Sequence, residues 1–528
     1  MSTQDFALDM TYMYVFHDAQ PLGRPRQMLR TAAGWEMYFQ AEDHAVCPVM
    51  YEKKLAGHTL TAAPTCMSGG PVAGRLVSGG PRVRGTAAAW GGSMRPYITV
   101  GIATLSVGLV AGVLSSTGDA PASAETRQAP GPVTVPGSFT GYAFDACQAP
   151  SQATMDAWRQ SSPYGGVGIY IGGVQRVCDQ PNLNARWVRT QHARGWKILP
   201  VYVGLQASCS TYEHRMSNVR ATARGQGRQA AGRAVQAAKG LAIGRNSTLF
   251  YDLEDYDTGP DDCRQAALSF MSGWTKRLHE LGYKSGVYSN IAAAIQSLDL
   301  AHRVSRGSYV MPDNIWFAWA NGRDDTFAGD WVLSDRWDGH RRVHQYRIDV
   351  GRTFGGVRLT IDENWMNLGR GSLAPKAART CGVRMNFADY PTRRRGSQGA
   401  VVSAAQCLLK QQRFGSVRVT GRYDRATAAA VRQAQRARGL DATGVMNGRT
   451  WTTLLAHGKS PLLKVGSAGE SARHLQRALT AALDRKVTIN GVVTKQTADA
   501  VRGYERTRGL RVDGIADPAV WTRLHRGR

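Results

Sequence analysis

Acidic residues are scarce in this chain of 528 residues: 39 Asp and Glu stand against 66 Lys and Arg, a net charge of +27. The deficit is uneven, since residues 376–528 hold 29 basic and 9 acidic residues. A half so short of acid seeks a polyanion, whether nucleic acid, anionic lipid or an anionic wall polymer. Metal-ligand patterns are also lacking. His192, His214, His279 and His344 have no zinc-site spacing, and no zinc peptidase or amidase pattern occurs, so neither metal nor cofactor is expected. No Cys–His–Asn arrangement supports a thiol nucleophile. Long apolar runs are scarce too; the one at residues 98–114 is 17 residues long, at the lower limit for a membrane span.

That run has a specific context. Met94-Arg95-Pro96-Tyr97 precedes it, and the small-residue triplet Ala122-Ser123-Ala124 follows. A basic start, an apolar stretch and an A-x-A site make residues 94–124 a secretory signal peptide, with cleavage expected after Ala124. Read instead as a single anchor, the run still puts residue 125 onward outside, because Arg75, Arg82, Arg84 and Arg95 lie on its other side. Six of the eight cysteines follow it, an even number suited to an oxidising compartment. The expectation is a secreted, extracellular or wall-associated protein, acting as a monomer without stable membrane association after cleavage, and nucleic acid drops out as a partner. Residues 1–93 have no clear period and are expected to be a disordered tail or untranslated.

Residues 125–138 form a Pro-rich spacer. Beyond it, strand-like segments at 139–145, 167–172, 197–204, 248–254, 285–290, 315–320, 343–348 and 358–362 alternate with helical patterns at 153–160, 183–193, 219–239, 262–281 and 291–297. Eight strands with crossovers over residues 139–366 predict an α/β fold of the (β/α)8 TIM-barrel type, with an open doubly wound sheet as the alternative. Residues 367–380 are a second spacer.

Acids fall at the predicted strand ends: Asp145 closes the first strand, Asp252 and Glu254 the fourth, and Asp362 the eighth. In such a barrel the C-terminal strand ends form the active-site face, so the four should converge on one mouth. Asp252 and Glu254, two apart on a strand, share a face with Cβ atoms about 6–7 Å apart, while Tyr251 and Leu253 point away. Paired carboxylates suit glycoside hydrolysis, in which one donates a proton to the leaving oxygen and the other stabilises positive charge. Crowding like charges raises one pKa and supplies the acid. Taken singly, each acid could instead cap a helix or pair with Arg at the rim.

Cys147, Cys178, Cys209 and Cys263 follow the ends of strands one to four, and neighbouring loops favour the pairings Cys147–Cys178 and Cys209–Cys263. Cys381 and Cys407 are expected to pair within the last third of the chain. Trp316, Trp319 and Trp337 are candidates for stacking on sugar or for plain core.

The last third repeats itself at a constant offset of 70: Gly396-Ser397 with Gly466-Ser467, Gln406 with Gln476, Gly421 with Gly491, Thr427 with Thr497, Arg438-Gly439-Leu440 with Arg508-Gly509-Leu510, and Trp451 with Trp521. The absence of gaps marks duplication. Each copy, 381–456 and 461–526, reads as three short helices. On those residues the copies resemble the peptidoglycan-binding-like three-helix domain. Its ligand contacts would come from Arg422, Tyr423, Arg436 and their counterparts. The second copy departs from the pattern at Glu505, where Gln is usual, and at residues 515–518.

Residues 141–150 (GYAFDACQAP), 168–173 (GIYIGG), 200–204 (PVYVG), 251–254 (YDLE), 286–289 (GVYS) and 344–346 (HQY) resemble the glycoside-hydrolase-like domain of secreted actinobacterial wall proteins, itself distantly similar to the GH25 lysozyme (muramidase) barrels. The resemblance implies Glu254 as general acid. Asp252 would stabilise positive charge or assist the substrate's 2-acetamido group, Asp145 and Asp362 would tune the pair, and Gln345 would bond sugar. Tyr251, Tyr288 and Trp319 complete the candidate substrate contacts. The expected function is hydrolysis of peptidoglycan or a related N-acetylated glycan, with peptidoglycan and anionic wall polymers as partners. The alternative is a non-catalytic wall-binding scaffold.

Overall fold

The computed structural model describes residues 131–377 and 380–528, and the backbone of three strands nearer the N-terminus. Those strands, β1 (Met28–Arg30), β2 (Glu36–Glu42) and β3 (Ala45–Tyr51), form an antiparallel sheet in order β1-β2-β3, within a stretch where the sequence suggested no regular element. The signal peptide expected at residues 94–124 lies outside the described residues. Among the described residues no helix is long and apolar enough to cross a membrane.

A closed eight-stranded barrel follows, as expected. Its strands are β4 (Phe139–Asp145), β5 (Gly166–Gly172), β6 (Lys197–Tyr202), β7 (Thr248–Asp252), β8 (Lys284–Asn290), β9 (Asn314–Ala318), β10 (Arg341–Phe354) and β11 (Val357–Leu368). The first five crossovers carry helices α1 (Gln152–Ser161), α2 (Ala185–Ala193), α3 (Arg220–Gly240), α4 (Asp261–Glu280) and α5 (Gln296–Val304), the last entered through a π-turn at Ile291–Ile295. Caps start the first two: Ser151 accepts from the Thr154 amide and Asn184 from that of Trp187. Helices α3 and α4 meet at glycines: a Cβ on Gly227 would fall 2.0 Å from the Phe270 carbonyl and one on Gly273 2.1 Å from that of Arg224. Close backbone approach outweighs the helix cost of each glycine.

The barrel closes differently from a strict (β/α)8 array. After the irregular connection from β9 to β10, a hairpin through Gly355 and Gly356 turns β11 antiparallel to both β10 and β4. The reason is local: two positive-φ glycines permit a tight turn where a crossover needs a dozen residues or more. The hairpin tip leans on α1, with Phe354 5.1 Å from Trp158 and the Trp158 indole donating to the Val357 carbonyl.

Alternation fills the barrel. Phe139, Ala143, Leu199, Val201, Phe250, Trp316, Val343, Met366 and Leu368 point inward, and the opposite faces meet the helices. The described end of the Pro-rich spacer is part of this unit: Val135 is buried, its amide donates to Ser247 Oγ, and its carbonyl accepts from the Thr248 amide.

Each repeat is a three-helix unit. The first has α6 (Ala400–Gln411), α7 (Arg425–Ala437) and α8 (Gly448–Ala456). The second has α9 (Glu470–Leu483), α10 (Lys495–Arg508) and α11 (Pro518–His525). One apolar core spans both. The repeated glutamines are buried struts: the Gln406 side chain accepts from the Gly421 amide at 2.9 Å and donates to the Arg422 carbonyl at 2.9 Å, and Gln476 does the same with Gly491 and Val492 at 2.9 and 2.8 Å.

Candidate active site

Asp145, Asp252, Glu254 and Asp362 reach the same mouth, at the C-terminal ends of the parallel strands. β4 and β7 deliver Asp145 and Asp252 on their inward faces, and Glu254 follows one inward position beyond. Asp362 arrives by another route: it sits mid-strand in antiparallel β11, directly across from Asp145 in register. Beneath them Trp316 fills the lumen, and Gly168 keeps the space free, since a Cβ there would lie 2.6 Å from that of Asp145.

A hydrogen-bond lattice holds the like charges together. Tyr170 donates to Asp145 at 3.1 Å, and Asn364 donates to its other oxygen at 2.6 Å. Gln345 bridges the facing acids, its amide 3.4 Å from Asp145 and 3.1 Å from Asp362, while its own carbonyl accepts from Tyr288 at 2.9 Å. The Asp349 amide donates to Asp362 at 2.7 Å. Trp316 orients Asn364 by donating to its oxygen at 2.7 Å. Gln206, just past β6, pins the Asp252–Glu254 backbone: it accepts from the Glu254 amide at 2.8 Å and donates to the Asp252 carbonyl at 3.0 Å.

Burial dominates the ionisation of this cluster. It pushes Asp145 up to about 6 against the pull of Asn364, Tyr170 and Gln345. Burial and then the neighbouring Asp145 charge push Asp362 up to about 8. Asp252 is held well above the ordinary carboxylate range by burial and by the charge of Glu254. Burial also raises Glu254, opposed by the hydrogen bond it takes from Asp252. Both members of the pair are thus pushed towards the protonated form, Asp252 by burial and the charge of Glu254, Glu254 by burial alone against the bond to Asp252. The second Asp252 oxygen, Oδ1, is buried without a partner among the described residues.

Disulfides brace the loops of this face. Cys147–Cys178 joins the loops after β4 and β5, and Cys209–Cys263 ties the loop after β6 to the start of α4; Cys381–Cys407 closes within the first repeat.

Two expected contacts need correction. Tyr251 faces away from the mouth, fully buried against Phe270 at 4.9 Å and Trp274 at 5.0 Å, with its hydroxyl on the Leu205 carbonyl at 2.7 Å. Strand alternation that turns Asp252 inward turns Tyr251 outward. In the first repeat, Tyr423 is buried with its hydroxyl on the Gly444 carbonyl, whereas Arg422 and Arg436 are exposed. Trp316 and Trp337 are core. Trp319 stands half-buried just past β9, its amide donating to the Gln345 carbonyl at 3.0 Å. The sequence reading missed Tyr170, Gln206 and Asn364. Asn364 was detectable, two residues from Asp362 on the same face. Gln206 had no signal, because it acts through a loop. Tyr212 was missed as well; burial and the charges of Glu254 and Asp252 push its hydroxyl up to about 12.

Comparison with known proteins finds similar domains in two parts of the chain. Residues 156–366 match the Rv2525c-like glycoside hydrolase-like domain, and residues 398–454 and 468–524 each match the putative peptidoglycan binding domain. No curated protein matches the chain. Among solved structures, an uncharacterized B. stearothermophilus protein is 19% identical over 43% of this chain and 95% of its own, with a TM-score of 0.28. The modular autolysin LytC from Streptococcus pneumoniae is 11% identical over 43% of this chain and 46% of its own, with a TM-score of 0.27. A glucosidase from Croceicoccus marinus is 15% identical over 37% of this chain and 46% of its own, with a TM-score of 0.22.

Proposed function

We propose that this chain, a glycoside hydrolase-like barrel joined to two peptidoglycan-binding domains, is exported to the cell wall and hydrolyses an N-acetylated wall glycan there. The observation that carries the reading is the Asp252–Glu254 pair: two adjacent carboxyls in a buried mouth, both pushed up by burial, with Asp252 Oδ1 lacking a partner among the described residues. A 2-acetamido N–H is a donor of the right kind for that oxygen. Sugar covering Glu254 removes its water and raises its proton affinity further, so that it carries the proton the reaction needs. Glu254 then protonates the leaving glycosidic oxygen as the C–O bond breaks, and Asp252, now charged, stabilises the positive charge developing at the sugar. Water adds to the sugar and returns a proton to Glu254. Gln345, Tyr288 and Tyr170 orient Asp145 and Asp362 at the rim, and Trp319 offers an apolar face to a ring.

A second reading is a scaffold that keeps the cleft without turnover. It is favoured by the saturation of Asp145, whose three side-chain donors leave it little freedom to act. Release of reducing ends from purified wall glycan separates the two. The hydrolase reading expects release by the intact chain; none from acetylated or de-acetylated glycan between acidic and neutral pH leaves the scaffold. Export is tested separately, by N-terminal sequencing of protein from the medium, which should begin at Glu125.

A further inference from the structure

The two repeats have the same groove, and among the described residues the second is covered by the barrel while the first stands open. In the first repeat, residues 395–398 and 422–425 line a groove of about 550 Å³. The equivalent segments of the second repeat, at the offset of 70, have the same backbone. Gly396 and Gly466 both sit at φ +92°. Each donates its amide across the groove at 2.9 Å, Gly396 to the Tyr423 carbonyl and Gly466 to that of Val493. Ser397 and Ser467 each accept from the amide three residues back at 3.1 Å.

Their surroundings differ. A Cβ on Gly396 would meet nothing within 4 Å, whereas one on Gly466 would fall 2.3 Å from the Phe139 ring at the base of the barrel. Lys464, the counterpart of exposed Arg394, is 3% exposed. Its ammonium donates to the carbonyls of Arg159 and Ser162 at the C-terminal end of α1, at 3.1 and 3.0 Å, where the helix dipole favours a cation. Lys495, the counterpart of exposed Arg425, pairs with the Asp324 carboxylate at 2.7 Å and lies 4.2 Å over the Trp365 ring. The barrel thus presents to the second groove two backbone carbonyls, one carboxylate and flat apolar rings.

We propose that the second repeat has surrendered its groove to the barrel, and that the first repeat alone anchors the chain, its groove taking a peptide that bears a free carboxylate. The occupant of the second groove states the chemistry: peptide carbonyls meet the cation at position 394 or 464, and a carboxylate meets the one at 425 or 495. In the first repeat Arg425, Arg395 and Arg422 line the groove and Arg394 stands beside it, all exposed. Guanidinium groups at these places suit a carboxylate, which they can grip with two parallel bonds. This rests on the wall-directed reading above, in which the peptide is the stem of peptidoglycan.

The test uses the full chain, soluble muropeptides carrying the stem, the same glycan stripped of peptide, and polyphosphate. Calorimetry should show muropeptide binding that the Arg394→Glu/Arg425→Glu variant weakens, whereas any binding of the stripped glycan, taken by the barrel mouth, should be the same in wild type and variant. The Arg394→Glu/Arg425→Glu double variant should weaken muropeptide binding and wall sedimentation by roughly tenfold or more, as two charge-assisted contacts are lost. Arg506→Glu/Arg526→Glu, the same charge change on exposed positions of the second repeat, should alter both less than about twofold. Thermal unfolding checks that each variant is folded, and amide shifts of Gly396 and Gly421 in the wild type locate the site without substitution. Wild-type pelleting with an equally well-pelleting Arg394→Glu/Arg425→Glu variant overturns the groove while leaving wall binding intact. Preference for polyphosphate over muropeptide overturns the peptide. No wild-type pelleting at all overturns the wall-directed reading, and this proposal falls with it.

Discussion

The two ends of the barrel solve opposite electrostatic problems. At the mouth, four carboxyls are gathered with few cations, and protons and amide donors make the crowding tolerable. At the base, cations from the second repeat find helix-end carbonyls, a carboxylate and aromatic faces already waiting. Docking meets the charge at the base unevenly: Lys495 gains a carboxylate, whereas burial and the Arg159 charge hold the Lys464 ammonium well below its ordinary range while two helix-end carbonyls accept from it. Charge at the mouth is left partly unsatisfied, which costs stability and leaves the Asp252 oxygen available to a ligand.

The largest effect that would break this contrast is on turnover. Glu254→Gln keeps size and hydrogen bonding but cannot deliver a proton, so reducing-end release should fall by about 10² to 10⁴. Unchanged release would remove Glu254 from the chemistry. At the base, Lys464→Glu puts an anion against the C-terminal carbonyls of α1 and should cost about 3 kcal/mol or more, read by thermal unfolding and by faster proteolytic separation of barrel from repeats.

The mouth should respond with opposite sign. Asp362 is raised in the folded state, so its contribution is fully present below the unfolded carboxyl pKa near 4 and is lost as pH rises through about 8. Asp362→Asn should therefore stabilise the barrel by about 1–3 kcal/mol at pH 8 and change little at pH 4. Equal shifts at both pH values would show that its carboxyl is not held protonated. Glu505, buried where the first repeat has Gln435, is raised to about 7. Glu505→Gln should raise the unfolding midpoint above pH 7 by an increment worth about 1–2 kcal/mol, fading below pH 5. The smallest effect is at Lys495, a half-exposed partner of Asp324. Lys495→Ala should cost less than about 1 kcal/mol, and less still in high salt.

Some of this was legible from residues alone because it is periodic. Acids at strand ends 145, 252 and 254, even cysteine usage and the offset of 70 are all written in spacing. Helix positions were close as well; the pattern at 219–239 became Arg220–Gly240, and that at 262–281 became Asp261–Glu280. Asp362 reached the mouth, but the sequence offered no direction for its strand. Tyr251 failed because a motif groups neighbours that alternation sends to opposite faces. Tyr423 failed because an aromatic beside an exposed Arg was taken as surface, when its hydroxyl closes a buried contact to Gly444.

Composition and period by themselves determined the eight strand segments with their intervening helices, the duplicated helical units and the charge imbalance, because each is a local or repeating property of the chain. The tertiary structure decided the rest. It turned β11 antiparallel so that Asp362 faces Asp145, set Gln345 between them, raised the Asp252 carboxyl by burial, and seated one of two near-identical grooves on the barrel. Each of these depends on contacts between residues tens to hundreds of positions apart, and desolvation exists only once those contacts have closed.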